Sequence, residues 1–209
     1  SATKDDGHHA VVGSFWWLVH RPNEFRRELL GSLSRDGAIL PFFATPETHN
    51  TPRCAARPGG LMRSSFAWIL GCFLPAVPFV HCGFEFGETE PINTGLDFSL
   101  EQIARYPPDR LGLYNPIAFR WRSDHPMAET VRLGLSARSR WFDLVADASP
   151  ASLDVVETDD ECVVGYLRTD ADTAIAVVGR FGDERTGTVD IAVPLPDGQF
   201  EDPVSGLTR

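Results

Sequence analysis

Ala38-Ile39-Leu40-Pro41-Phe42-Phe43-Ala44, followed by Thr45-Pro46-Glu47-Thr48-His49-Asn50-Thr51-Pro52-Arg53, is the stretch that decides how this chain is read. The first seven residues are an apolar run of strand length. The next nine crowd polar, charged and imidazole groups where a buried strand would surface. Pro46 and Pro52 stiffen the turn, so the side chains between them are held in place. In βα-built proteins the C-terminal ends of strands carry the chemistry. The same residues also read as a polar βα loop with a helix cap.

Working outward, Ala10 to Leu18 (AVVGSFWWL) predicts a buried strand running into an aromatic loop. Pro22-Asn23 opens a helix, with Asn23 as cap and Phe25, Leu29, Leu30 and Leu33 on one apolar face. A second helix is expected over Leu61 to Leu74, apolar nearly all round. Val77 to Cys82 predicts a third buried strand. Strand, helix, strand, helix, strand with continuous apolar strands argues parallel pairing in an α/β layer. An irregular loop rich in Pro, Gly and Asn spans Gly83 to Trp121, and a helical stretch runs from Met127 to Val145. Beyond Ala146 the texture changes. Leu153 to Glu157, Cys162 to Leu167, Ala174 to Gly179 and Gly187 to Val193 are short runs separated by turn residues, an antiparallel β module.

Of the 209 residues, 43% are hydrophobic, enough to build a sizeable core. The net charge of -10 disfavours nucleic acid and anionic membranes, which reward positive charge, and is compatible with a neutral substrate such as sugar. The run from Phe66 to Val80 is the longest apolar segment, and Gly71, Pro75 and Pro78 break it well short of a membrane span. Ser1 to His9 is polar and shows no secretory pattern. Cys54, Cys72, Cys82 and Cys162 form no CxxC pair and read as buried free thiols, Cys72 and Cys82 in apolar surroundings, with a disulfide or a metal site as the alternatives. That usage points to a reducing, cytoplasmic setting. His8-His9 has no carboxylate at ligand spacing, and neither a metal nor a cofactor is implied.

With these pieces in order, the chain resembles the C-terminal part of an alpha-amylase family glycoside hydrolase. Thr48-His49-Asn50 resembles the family's Asn-His-Asp signature after barrel strand seven. Ala76 to Gly87 (AVPFVHCGFEFG) resembles strand eight and its exit, with Ala76 in place of the first glycine. The trailing β module resembles the family's domain C, where Phe200 to Gly206 (FEDPVSG) looks like its usual turn. The resemblance implies a partial (β/α)8 TIM barrel, about strands 6–8, over residues 1–146. An antiparallel β-sandwich domain C, truncated, follows over 147–209. A full barrel needs about 250 residues, so the expectation is a fragment of a larger parent or a reduced relative. Its open barrel edges would favour self-association.

The resemblance also implies a function, as part of an enzyme acting on an alpha-glucan or maltooligosaccharide, a hydrolase or a glucanotransferase. Retaining glycosidases need two carboxyl groups about 5–5.5 Å apart. In the family these follow strands four and five, which the resemblance does not cover. What carries over is the transition-state aspartate position after strand seven, here Asn50. An amide keeps hydrogen bonding but brings no negative charge to an oxocarbenium-like centre, an effect worth a few kcal/mol of barrier at about the scale of an oxyanion-hole donor. His49 matches the family's substrate-binding histidine and also reads as a capping or packing imidazole. Glu47 is a further substrate-side carboxylate, and Arg53 reads as a loop anchor. Trp17 offers a flat face for a pyranose ring, and Glu85 stands at the strand-eight exit as a sugar contact or a structural carboxylate. Asn93, Thr94 and Asp97 are polar groups of the following loop. The alternative is a non-catalytic carbohydrate-binding or scaffolding relative, with Asn50 marking lost catalysis.

Overall fold

A computed structural model of the chain describes residues 5–116, 124–181 and 198–203. Its parallel layer is built on β1 (Phe42–Ala44) and β2 (Ala76–Pro78), paired in parallel with Phe42 opposite Ala76 and Ala44 opposite Pro78. Val11 flanks β1 through a parallel bridge to Phe42. Its N–H donates to the Pro41 carbonyl at 2.9 Å, and its carbonyl accepts from Phe43 N–H at 3.1 Å. The layer therefore runs Val11, β1, β2.

The first expected strand shrinks to that single bridge. From Phe15 the chain is helical, as α1 (Phe15–Leu18). The reason is spacing: Phe15, Leu18 and Val19 fall at i, i+3 and i+4 and all three are buried. Phe15 packs edge-on against Phe25 and stacks on Phe42. Short apolar runs do not distinguish strand from helix by pattern alone.

Helix α2 comes in three consecutive pieces, Pro22–Glu24, a π-helical segment Phe25–Leu30, and Gly31–Asp36. Arg21, extended at φ -132°, is its N-cap, and Pro22 takes the first helical position where its missing N–H costs nothing. Asn23, expected as the cap, lies two residues past it, at the second helical position, and is exposed. Phe25, Leu30 and Leu33 bury the predicted apolar face. Gly37 closes the helix at φ +69°, a conformation that favours glycine.

Helix α3 (Gly60–Cys72) makes the crossover from β1 to β2 and buries Ala67, Trp68, Leu70 and Cys72. After β2 the chain forms α4 (Leu100–Arg105), α5 (Pro126–Arg140) and α6 (Phe142–Ala146). Ser99 begins α4 with a capping box: its hydroxyl accepts from Gln102 N–H while the Gln102 amide oxygen accepts from Ser99 N–H. Strands β3 (Leu153–Val155), β4 (Val163–Thr169) and β5 (Ala174–Arg180) form an antiparallel sheet in that order. The strand expected at Gly187 to Val193, and the end of the Phe200 to Gly206 turn, lie outside the described residues.

The antiparallel sheet shares one core with the parallel layer: Leu153, Val164, Tyr166 and Val177 cluster with Phe15, Phe25, Trp68 and Leu74. The Tyr166 hydroxyl, fully buried, donates to the Leu70 carbonyl of α3 at 2.5 Å. Gly179 lies so close to Phe66 that an added Cβ would sit 1.7 Å from the ring. Two buried arginines tie helix ends into this core. Arg138 of α5 donates to the carbonyls of Cys72, Leu74 and Ala76 at 2.6, 2.9 and 2.7 Å. Arg168 of β4 donates to the carbonyls of Leu144 and Asp147 and to Ser152 Oγ. Each cation lies at or just past the C-terminal, negative end of a helix, α3 for Arg138 and α6 for Arg168. Among the described residues the sheets have two and three strands, and no closed barrel forms.

Candidate functional site

The loops leaving β1 and β2 meet at one end of the parallel layer, and a buried ion pair holds them together. Glu47 and Arg53 side chains are each 1% exposed and paired at 2.7 Å. Glu47 Oε2 also accepts from Cys54 N–H at 2.5 Å, and the Thr45 hydroxyl donates to the Glu47 carbonyl at 2.6 Å. Arg53 reaches across to the β2 exit, where it donates to the Cys82 carbonyl (2.9 Å), the Glu90 carbonyl (3.1 Å) and His81 Nδ1 (2.8 Å). A cation carried by one loop that meets three backbone or ring acceptors of the other sets their relative position. This replaces the substrate contact expected of Glu47: both its oxygens are consumed, and no part of the carboxylate faces solvent.

Above that pair, the tip of the β1 loop docks on the loop after β2. Asn50 Oδ1 accepts from Asn93 Nδ2 at 2.7 Å, and the Asn50 carbonyl accepts from Leu96 N–H at 2.6 Å. Gly95 passes so near that a Cβ there would lie 3.0 Å from Asn50 Oδ1. Thr48 and Thr51 brace the turn from inside, Thr48 Oγ1 accepting from Asn50 N–H and Thr51 Oγ1 from Thr48 N–H. His49 projects to solvent from the tip and Asn50 is half-buried. The structure thus places His49 and Asn50 together on an accessible rim.

Glu85 lies on the 3-10 turn Phe84–Phe86 at the β2 exit, and its carboxylate accepts from Gly83 N–H at 3.0 Å. Trp17 ends up on α1 rather than at a strand end. It packs against the core, and the Arg21 guanidinium covers its ring at 4.2 Å, so that face is not available to a sugar. Cys82, expected among the buried thiols, is exposed, whereas Cys54 and Cys72 are buried. Burial pushes both buried thiols up to about 12, so they stay protonated at neutral pH. Among the described residues no group of three or more His, Cys, Asp or Glu side chains is arranged to hold a metal ion, and no helix is long and apolar enough to cross a membrane.

Beside the rim lies a cavity of about 350 Å³ that the sequence reading did not anticipate, lined in part by His20, Arg21, Arg57, Arg63, Asp97 and Gln102. Asp97 sits at φ +61°, a left-handed conformation that aspartate tolerates. Its two oxygens each take one guanidinium at 2.8 Å, Arg21 on Oδ1 and Arg57 on Oδ2. Burial works against the Asp97 anion, but these hydrogen bonds hold its carboxyl below the usual aspartate range. No local motif could have revealed this group, because its members come from five separate segments.

His20 forms one wall. Its Nε2 lies 2.9 Å from the Pro46 carbonyl, which makes Nε2 the protonated nitrogen. Burial foremost, then the nearby Arg57 charge, pushes its pKa down to about 3, against a free value near 6.5. The folded state therefore binds fewer protons than the unfolded chain between those values. Stability from this group is complete above pH 6.5 and is lost as pH falls towards 3, with a slope of up to about 1.4 kcal/mol per pH unit. Urea unfolding across pH 7 to 4 is expected to show that decline, and His20→Gln, which keeps an amide donor for Pro46, is expected to flatten it. An equal slope in both proteins would assign the acid sensitivity elsewhere.

No protein-family model matches the chain, and no curated protein matches it.

Proposed function

We propose that the chain is the C-terminal part of an alpha-glucan-acting glycosidase or glucanotransferase of the alpha-amylase kind. It contributes a substrate-contacting rim rather than the carboxyl pair that cleaves the bond. One observation carries the reading beyond the motifs. Val11, β1 and β2 align in parallel in the order of the resemblance, and the loops leaving β1 and β2 interlock through Asn50. The exposed His49 imidazole and the remaining Asn50 amide hydrogens then present hydrogen-bonding groups, which suit sugar hydroxyls. Asn50 brings no charge to an oxocarbenium-like centre, so the rim binds without supplying electrostatic catalysis.

Titration of maltoheptaose into the 209-residue protein tests this, read by calorimetry and by release of reducing sugar. Saturable binding that weakens several-fold in His49→Ala, with no hydrolysis, is the expected pair of results. Robust turnover by this chain, or binding indifferent to His49, would overturn it. The non-catalytic carbohydrate-binding alternative draws on the same Asn50. A parent gene encoding carboxylates after strands four and five would separate the two.

A further inference from the structure

The cavity beside the rim combines three guanidinium groups with a single carboxylate. Arg21 and Arg57 share Asp97, and among the described residues Arg63 has no carboxylate partner. His20 is neutral at physiological pH, so the lining carries about two uncompensated positive charges in a chain whose net charge is -10. Acidic proteins do not gather desolvated cations without a reason, because each costs solvation that only an opposite charge restores.

The hydrogen-bonding inventory points the same way. Arg57 Nε is buried without a partner. Gln102 spends its amide oxygen on the Ser99 cap, which leaves its NH2 group as donor. The Arg63 guanidinium makes no hydrogen bond among the described residues and rests over the Phe181 ring at 5.6 Å. The cavity wall is therefore rich in donors and short of acceptors. Asp97 does not fill that deficit. It fixes Arg21 and Arg57 as a fork, and Arg21 is further held by stacking on Trp17 and donating to the Trp17 carbonyl at 3.0 Å. Two oriented guanidinium planes, with a third in the same lining that no carboxylate among the described residues pairs, match the several acceptor oxygens of a tetrahedral oxyanion.

We propose that this cavity is a binding site for a phosphate-class oxyanion, held by Arg57 and Arg63 with Arg21 and Gln102 in support. The chemistry is the same whether the ligand is free phosphate or the phosphoryl group of a small molecule. The volume, at the lower end of the range for small-ligand sites, admits either. This site is independent of the glucan reading, and its ligand does not touch His49 or Asn50.

Titrating inorganic phosphate into the 209-residue protein at low salt, followed by calorimetry and 31P line broadening, tests the site. A dissociation constant of about 1 mM or tighter is expected, weakening as salt screens the cluster. Arg63→Gln loses no hydrogen bond to the protein and should fold normally by circular dichroism. It is expected to weaken phosphate binding by at least about tenfold, the loss of one charge-assisted contact. Arg27→Gln, on the exposed side of α2, is expected to change nothing. Glucose 6-phosphate and glucose are the remaining arms. Tighter binding of the ester than of phosphate assigns a phosphorylated small molecule, and equal binding assigns free phosphate. Either supports the site. Absence of saturable phosphate binding, equal affinity in wild type and Arg63→Gln, or binding of glucose as strong as its phosphate would each overturn it. Retained maltoheptaose binding in Arg63→Gln would keep that outcome separate from the fate of the glucan proposal.

Discussion

Glu47→Gln is expected to destabilise the fold by about 3–5 kcal/mol, a large share of the 5–15 kcal/mol that holds a typical domain together. The change is isosteric, so packing is not the cause. Both Glu47 oxygens accept, one from Arg53 Nη1 and one from Cys54 N–H. An amide has one acceptor oxygen and one NH2. Either orientation points that NH2 at a donor, and Arg53 is left as a buried cation without its anion. Arg53 also ties the Cys82 and Glu90 carbonyls to the β1 loop, so the damage spreads to the rim. Chemical denaturation of the variant, with hydrogen exchange read at Asn50 and Leu96, measures both parts. A loss below about 1 kcal/mol would mean the pair behaves as a surface ion pair does, despite its burial.

Arg138→Met is expected to cost a similar amount, about 3–5 kcal/mol. Methionine fills most of the arginine volume but donates nothing. The Cys72, Leu74 and Ala76 carbonyls lie at the end of α3 and the start of β2, in the core, and lose a charged donor together. Arg138→Lys is expected to recover only part of the loss, because a single ammonium cannot reproduce the planar fork. Equal stability of the Lys variant and wild type by urea denaturation would show that charge alone suffices. Because β2 sets one side of the rim, a folded Arg138→Met protein is also expected to bind maltoheptaose more weakly.

Parallel pairing of the runs Ala38 to Ala44 and Val77 to Cys82 was legible beforehand, since two continuous apolar runs joined by a helical segment leave few other arrangements; the residues that pair are the shorter Phe42–Ala44 and Ala76–Pro78. The antiparallel β4–β5 pair was legible from alternating and β-branched runs with turn residues at Asp170 to Asp172. The segment from Ala10 to Leu18 was not, because Phe15, Leu18 and Val19 satisfy a helical spacing as well as an apolar run. At the site, His49 and Asn50 stood out because they are adjacent in sequence. Glu47 stood out too, as a substrate-side carboxylate; the structure instead buries it against Arg53, because burial is set by the fold and not by the spacing of the two residues.

The order of covalent neighbours by itself determined which segments are apolar enough to be buried, the acidic balance of the whole, and the polar tip at His49 and Asn50. These are local or additive properties, set by each residue's own chemistry and that of its near neighbours. Only the tertiary structure decided which charges meet. Arg21, Arg57, Arg63, Asp97 and Gln102 span more than eighty positions, and their gathering around one cavity depends on helix and loop packing that no short window encodes. The same holds for Glu47 with Arg53 and for Arg138 under α3, where burial, rather than residue type, turns an ordinary ion or cation into a fixed point of the fold.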